Sequence, residues 1–356
     1  MRNVLVTGGA GFVGSNLALA WKRDFPEDNV TSLDNLKRRG SELTIPRLKR
    51  AGVAFEHGDV RNREDLEAVG EADLILECSA EPSVQAGYNG GARYLLNTNL
   101  SGTLNCLEFA RERRAQFVFL STSRVYPIAP IRALPLEEGA TRLTIGAGAH
   151  GSGWSERGVS EEFPLAGPRS LYGATKLASE LFIEEYVATY GMEAIVNRCG
   201  VLTGPWQMGK VDQGFVTLWA SQFLYGGRLG YIGFGGLGKQ VRDILHVADL
   251  HELIKLQVAD IARHSGRVYN VGGGAQNSVS LLELSGLCAA HTGSSPDFTR
   301  TPETHPADIP YYVTDNTLVT RETGWTPHKS VANILEEVFR WLRDHRGELE
   351  GLLKRS

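Results

Sequence analysis

Tyr172 and Lys176 stand four residues apart in the stretch Leu171-Tyr172-Gly173-Ala174-Thr175-Lys176. On a helix, such a pair lies on one face. A tyrosine with an ordinary pKa near 10 is a poor base at neutral pH. A neighbouring ammonium favours the phenolate, which can then take a proton from a hydroxyl group. The spacing alone is common, and a half-buried surface pair would look the same. Thr122 and Ser123 follow the apolar run 116–121. A hydroxyl there can share a substrate hydrogen bond with the tyrosine, although a turn Ser/Thr has the same signature.

A second signal is Gly8-Gly9-Ala10-Gly11-Phe12-Val13-Gly14, which follows a strand-like run and opens a helix-like one. Glycines in that context permit a tight turn and a close approach of backbone N–H groups to a pyrophosphate, with the helix N-terminus facing the anion. An ordinary turn between a strand and a helix is the bland alternative. Asp34 lies 20 residues after Gly14, at the end of the second run. A carboxylate there binds ribose hydroxyls and repels a 2′-phosphate, which favours NAD over NADP. Lys37, Arg38 and Arg39 follow and keep a 2′-phosphate open. Asp59, in Gly58-Asp59-Val60, is placed either to touch the adenine or as a plain turn residue. With NAD bound, the positive nicotinamide would further favour the Tyr172 phenolate.

These residues need elements to hold them. Short apolar runs at 3–7, 30–33, 54–57, 72–78 and 116–121 alternate with helix-like stretches at 15–23, 63–69 and 95–114. That alternation predicts βαβ units and a buried parallel sheet. The expected class is therefore α/β, a Rossmann-type doubly wound parallel sheet with a smaller, discontinuous C-terminal substrate lobe. A helix is expected near 171–190, strands at 194–199 and 268–271, and helices at 280–291 and 331–353. The expected dinucleotide domain is 1–200, with 238–275 returning to it. The substrate lobe takes 201–237 and 276–356. Residues 127–169 are rich in Gly, Pro and Glu, and fit either a disordered loop or an active-site cover.

Composition excludes much else. The chain has 356 residues, 42% hydrophobic and 22% charged, with net charge −4. No run of 18 apolar residues suggests a membrane span. No basic block suggests nucleic acid as a partner. Met1 to Leu5 lacks the regions of a signal peptide. Cys78, Cys106, Cys199 and Cys288 are far apart, which fits a reducing cytoplasm rather than disulfides or zinc. The nine histidines show no metal-ligand spacing, so no metal is expected.

Taken together, the motifs resemble the extended short-chain dehydrogenase/reductase family, the sugar-nucleotide epimerases and dehydratases. The resemblance is carried by the glycine turn, Asp34-Asn35, Gly58-Asp59-Val60, Asn99 with Gly102-Thr103, Ser121-Thr122-Ser123-Arg124-Val125-Tyr126, Tyr172-Gly173-Ala174-Thr175-Lys176, and 238–249. It implies a catalytic triad of Thr122, Tyr172 and Lys176. It also implies an NAD site formed by Gly8, Gly11, Phe12, Val13, Gly14, Asp34, Asn35, Lys37, Arg38, Asp59, Val60, Ser79, Ala80, Asn99, Tyr172, Lys176 and Cys199, with Asn99 supporting the helix that carries Lys176. Glu81, Ser123, Arg124, Gln213 and Arg242 are the candidate substrate contacts. Glu81 and Arg124 also read as ordinary loop or solvated residues, Cys199 as a buried strand cysteine, and Arg242 as an ion-pair partner of Asp243 or Asp249. The family further implies a homodimer through helices near 95–114 and 171–190.

Within the family, the hexose 4,6-dehydratases carry Asp-Glu immediately after this threonine. Here Ser123 and Arg124 stand there, and neither is a carboxylic acid. Asp212-Gln213-Gly214-Phe215-Val216, the stretch 238–246 and the insertion 127–169 resemble the CDP-paratose/CDP-tyvelose 2-epimerases. The implied activity is NAD-dependent epimerisation through a transient ketone, at C2 of a CDP-deoxyhexose. The alternatives are a UDP- or GDP-sugar 4-epimerase, a dehydratase with substitute acids, and a non-catalytic NAD-binding regulator. Val201 and Pro310 stand where many members place an Asn and an Arg near the substrate diphosphate.

Overall fold

A computed structural model describes residues 1–88, 90–211 and 213–354. Asp212, part of the stretch singled out above, lies outside the described residues. The chain divides into two compact units. The first holds Met1–Val125, Ser170–Cys199 and Leu250–Tyr269; the second holds Tyr126–Arg169, Gly200–Asp249 and Asn270–Ser356.

The apolar runs become strands β1 (Asn3–Thr7), β2 (Asn29–Asp34), β3 (Ala54–His57), β4 (Leu74–Glu77), β5 (Gln116–Thr122), β6 (Ala194–Cys199) and β7 (Val268–Val271). They form one seven-stranded sheet in the order β7-β6-β5-β4-β1-β2-β3. The pairs β1·β2, β1·β4, β2·β3, β4·β5 and β5·β6 are parallel. This is the expected α/β, Rossmann-type sheet. Strands of such a sheet are covered on both faces, so near-continuous apolar runs fit them better than alternation does. Leu5, Leu33, Ile75, Phe117 and Phe119 pack with Leu107 and Ile183 from the helices α2 (Gly102–Arg113) and α3 (Leu171–Tyr190). The helix α1 (Phe12–Asp24) begins directly after the glycine turn.

Strand order reverses at β1, whose neighbours are β2 and β4. Ligands of open α/β sheets bind beyond the carboxyl ends of the strands at such a switch point. Thr7, Asp34, Glu77, Thr122 and Cys199 all occupy that edge as the last residues of their strands.

The stretch expected as one helix over 95–114 is interrupted. Arg93–Leu96 is followed by a wide turn, Asn97–Ser101, before α2 begins. Wide turns of this kind are frequent at functional sites. The tail helix also breaks, into Val331–Asp344 and Arg346–Leu353.

The second unit differs in extent from the lobe expected from sequence. Residues 126–169 and 238–249 pack within it rather than with the sheet. The insertion is built, not a featureless loop. Leu136–Glu138 and Leu143–Ile145 form a hairpin, and three two-residue strands follow between residues 150 and 159. Lys239 Nζ donates to Glu138 at 2.8 Å, and Val159 N–H donates to the Val313 carbonyl at 2.8 Å. A Cβ on Gly158 would stand 2.2 Å from that carbonyl, so only glycine permits the approach. Among the described residues, no helix is long and apolar enough to cross a membrane.

Candidate active site

The site begins with the turn between β1 and α1. A Cβ on Gly9 would stand 2.1 Å from Ser32 Oγ and 2.6 Å from the Val6 carbonyl oxygen; one on Gly14 would stand 2.3 Å from the Gly8 carbonyl oxygen. Side chains are thus excluded where the turn folds onto β2 and onto itself. Phe12 and Val13 open α1, whose first turn contains no acidic residue. This is the polarity that an anion at a helix N-terminus requires. The carboxylate of Asp34 accepts from Ala10 N–H at 3.1 Å and Leu36 N–H at 2.7 Å. Burial raises its pKa, while these donors favour the charged form. The turn and the fixed carboxylate fit a dinucleotide with free ribose hydroxyls.

Asn35 donates to Asp59 at 2.8 Å, and Arg61 meets the same carboxylate at 2.5 Å. Burial would raise the Asp59 pKa, but the Arg61 and Asn35 hydrogen bonds hold it at about 2. Lys37 Nζ lies 3.4 Å from the centre of the Tyr94 ring, and the Arg61 guanidinium 4.9 Å from it. The Lys37 ammonium therefore rests on an aromatic face. Arg38 is half-buried. Val60 is buried, and a Cβ on Gly102 would stand 2.7 Å from its Cγ2.

Asn99 sits in the wide turn before α2. Its Oδ1 accepts from Glu81 N–H at 2.7 Å, and its Nδ2 donates to the Glu81 carbonyl at 3.1 Å. Its own carbonyl accepts from Ser179 on α3 at 3.1 Å. Asn99 thus ties the loop after β4 to the helix carrying Tyr172 and Lys176. Ser79 is buried and Ala80 half-buried in that loop.

Ser170 caps α3 by accepting from Gly173 N–H, which starts the helix one residue before Tyr172. Thr122 at the end of β5 hydrogen-bonds the Tyr172 phenol. The Thr122 hydroxyl also accepts from Arg124 N–H at 3.2 Å. Burial pushes the Tyr172 pKa up to about 12, with the Thr122 hydrogen bond and the Arg124 charge opposing and the Glu81 charge adding to it. Of the expected substrate contacts, Glu81 and Arg124 therefore lie within electrostatic reach of the phenol. Ser123 is half-buried beside Thr122. Cys199 is paired in register with Thr122, buried, with its thiol donating to the Asn197 carbonyl at 3.5 Å. Burial pushes that thiol up to about 12, so it is no nucleophile at neutral pH.

Lys176 is 2% exposed, and its Nζ lies 3.9 Å from Glu77 Oε2 and 4.1 Å from the centre of the Phe119 ring. Its charge is thus paired with Glu77. Sequence reasoning missed Glu77, although a carboxylate ending the apolar run Leu74–Leu76 was a visible signal. It also missed Glu180, which pairs with Arg198 and holds α3 to β6.

Gln213 and Arg242 belong to the second unit. Gln213 exchanges backbone hydrogen bonds with Lys210. Arg242 donates to the carbonyls of Val241 and Ile309, each at 2.7 Å. Among the described residues, the trio Asp24, His251 and Glu252 has ligand atoms close enough for a metal. Lys255 Nζ already stands 2.8 Å from Asp24 and 2.9 Å from Glu252, so an ammonium takes the cation's place.

The profile of the NAD dependent epimerase/dehydratase family matches residues 4–272. A CDP-paratose 2-epimerase of Salmonella typhi is 28% identical over 95% of this chain and 98% of its own. A dTDP-glucose 4,6-dehydratase of Streptomyces niveus is 31% identical over 98% of this chain and 95% of its own. Among solved structures, a double mutant of a dTDP-glucose 4,6-dehydratase from Streptomyces venezuelae, with NAD and DAU bound, superposes with a TM-score of 0.79 at 28% identity, covering 99% of this chain and 100% of that one.

Proposed function

This chain belongs to the NAD dependent epimerase/dehydratase family, and from that premise we propose that it is a nucleotide-sugar epimerase acting at C2 of a CDP-linked deoxyhexose. One observation carries epimerisation over dehydration. The positions after Thr122 hold Ser123 and Arg124, and the Arg124 charge acts on the Tyr172 phenol. The resemblance gives dehydratases an acid pair there to move protons during loss of water. An epimerase needs no such pair. The similarity to the Salmonella typhi CDP-paratose 2-epimerase supports the finer reading.

When bound, NAD would supply a reversible hydride acceptor, so the hydride taken from the carbinol carbon can be given back to the ketone. Asp34 and the glycine turn bind and orient the dinucleotide. Thr122 holds the sugar hydroxyl against Tyr172, which takes its proton as the carbon is oxidised and returns it after the ketone has presented its other face. Lys176 holds the nicotinamide ribose and favours the phenolate. Glu81, Ser123, Arg124, Gln213 and Arg242 are assigned to the substrate in this proposal.

The proposal includes a homodimer and a cytoplasmic setting. Leu96, Leu171, Leu181, Phe182 and Tyr190 are exposed apolar residues near or on α3, the helix expected to pair. The four cysteines are free thiols, as a reducing compartment allows. The second reading is dehydration with Glu81 as a substitute acid. It is favoured by the 31% identity to the Streptomyces niveus dehydratase and by the influence of Glu81 on Tyr172.

The test is proton NMR of the protein in D₂O with NAD and a panel of CDP-paratose, CDP-tyvelose, dTDP-glucose, UDP-glucose and GDP-mannose. Inversion at C2 of a CDP-sugar without deuterium uptake supports the proposal. Loss of water with deuterium entering the sugar replaces it with the dehydratase reading.

A further inference from the structure

Glu77 is the last residue of β4, directly after the apolar Leu74–Leu76. It is fully buried, and neither carboxylate oxygen has a hydrogen bond of good geometry. Lys176 Nζ stands 3.9 Å away, itself buried over the Phe119 ring. A carboxylate in such a place is costly unless a charge answers it, and an apolar residue would pack the strand at less cost. The register pairs Glu77 with Thr7 on one side and Phe119 on the other. One residue on, a Cβ at Gly8 would stand 2.8 Å from the Cys78 carbonyl oxygen, so the glycine turn presses on the same strand end.

We propose that Glu77 is a positioning residue for the reaction: its buried carboxylate holds the Lys176 ammonium in place and charged at the sheet edge where Tyr172 works. The inference rests on the reading of Lys176 as part of the triad. Other groups around the pair do not substitute for Glu77. Cys78 and Cys199 bear on Lys176, and Cys106 on α2 senses both charges, but burial keeps these thiols neutral. Glu180 also bears on Lys176, yet it is committed to Arg198 at 2.7 Å. Burial raises the Glu77 pKa, and the Lys176 charge, Ser79 and the Thr7 hydroxyl oppose that rise in favour of the anion. Burial lowers the Lys176 pKa, and the Glu77 charge opposes that fall. Without the negative charge the ammonium would be lost at a lower pH.

The experiment uses the full chain with lysine labelled at Cε with carbon-13. The Lys176 signal is assigned through Lys176→Met and followed against pH in wild type, Glu77→Gln and Glu77→Asp. The titration midpoint should fall by about one pH unit or more in Glu77→Gln and recover most of that in Glu77→Asp. NAD affinity, read by tryptophan fluorescence, should begin to fall at a lower pH in Glu77→Gln than in wild type. An unchanged Lys176 midpoint in folded Glu77→Gln overturns the proposal. Should the glutamine variant not fold, the shorter Glu77→Asp still shifts the midpoint by a few tenths of a unit if the proposal holds, and its absence overturns it. A shifted midpoint with unchanged NAD affinity and turnover shows instead that Lys176 lies outside the reaction, which is the failure of the triad reading.

Discussion

Arg198 on β6 and Glu180 on α3 meet at 2.7 Å inside the first unit, with both side chains more than nine-tenths buried. A second nitrogen, Arg198 Nε, lies 3.0 Å from the same carboxylate oxygen, and Ser121 on β5 donates to this carboxylate as well. Three elements are tied at one point, one turn beyond Lys176 on the helix that carries Tyr172. Removing one partner of a buried pair leaves the other charge uncompensated, at a cost of about 3–5 kcal/mol. Glu180→Gln should therefore lose about 3 kcal/mol in urea unfolding. Glu180→Leu combined with Arg198→Met should recover most of it, since no charge then remains buried.

Tyr172→Phe removes the phenol hydroxyl, the proposed proton acceptor, and leaves the ring in place. Turnover should fall about 10²- to 10⁴-fold, the usual contribution of a positioned acid–base group. NAD binding, followed by fluorescence titration, should persist, because the glycine turn and Asp34 are untouched.

Asp34 is fixed by two backbone N–H groups, so its charge has little freedom to move, and in the proposed site it would bind the ribose. Asp34→Asn should weaken NAD binding about tenfold, the loss of one charged hydrogen bond. The same variant should discriminate less against NADP, because the anion that repels a 2′-phosphate is gone. Parallel NAD and NADP titrations read both effects.

The Asp59 pKa is depressed to about 2 by Arg61 and Asn35. A depressed carboxylate contributes stability that is present above its unfolded pKa and lost as pH falls through the folded one. Stability should therefore decline between about pH 4 and pH 2, by about 1–2 kcal/mol from this group after allowance for the part-exposed arginine. Asp59→Asn should flatten that part of the urea-unfolding profile.

Gly158 adopts φ +123° and leaves no room for a Cβ beneath the Val313 carbonyl. Gly158→Ala should destabilise the chain by about 2 kcal/mol or more in thermal or urea unfolding. The same change at Gly148, which has positive φ but open space around it, should cost about half as much.

Local pattern made much of the molecule legible. Apolar runs, glycines before a helix-like stretch and an acid 20 residues later are short-range features, and backbone sterics translate them directly into β1, α1 and β2. Tyr172 and Lys176 were legible because helical spacing puts them on one side of α3. Legibility ended where contacts join residues distant in sequence. The wide turn at Asn97–Ser101 follows from Asn99 bonding Glu81 and Ser179, which no local window contains. The insertion 127–169 fitted either a disordered loop or an active-site cover because its strands are two or three residues long, and its order comes from partners such as Lys239 and Val313.

The sequence by itself therefore determined the sheet, the glycine turn before α1 and the helical spacing of Tyr172 and Lys176, because periodicity and turn chemistry act within a few residues. Only the tertiary structure decided where the charges go. It put the Lys176 ammonium beside Glu77, the Lys37 ammonium on Tyr94 and the Arg198 guanidinium on Glu180. A charge is stabilised by whatever the fold brings within a few ångströms after water is excluded, and these partners are separated by 18 to 99 residues along the chain.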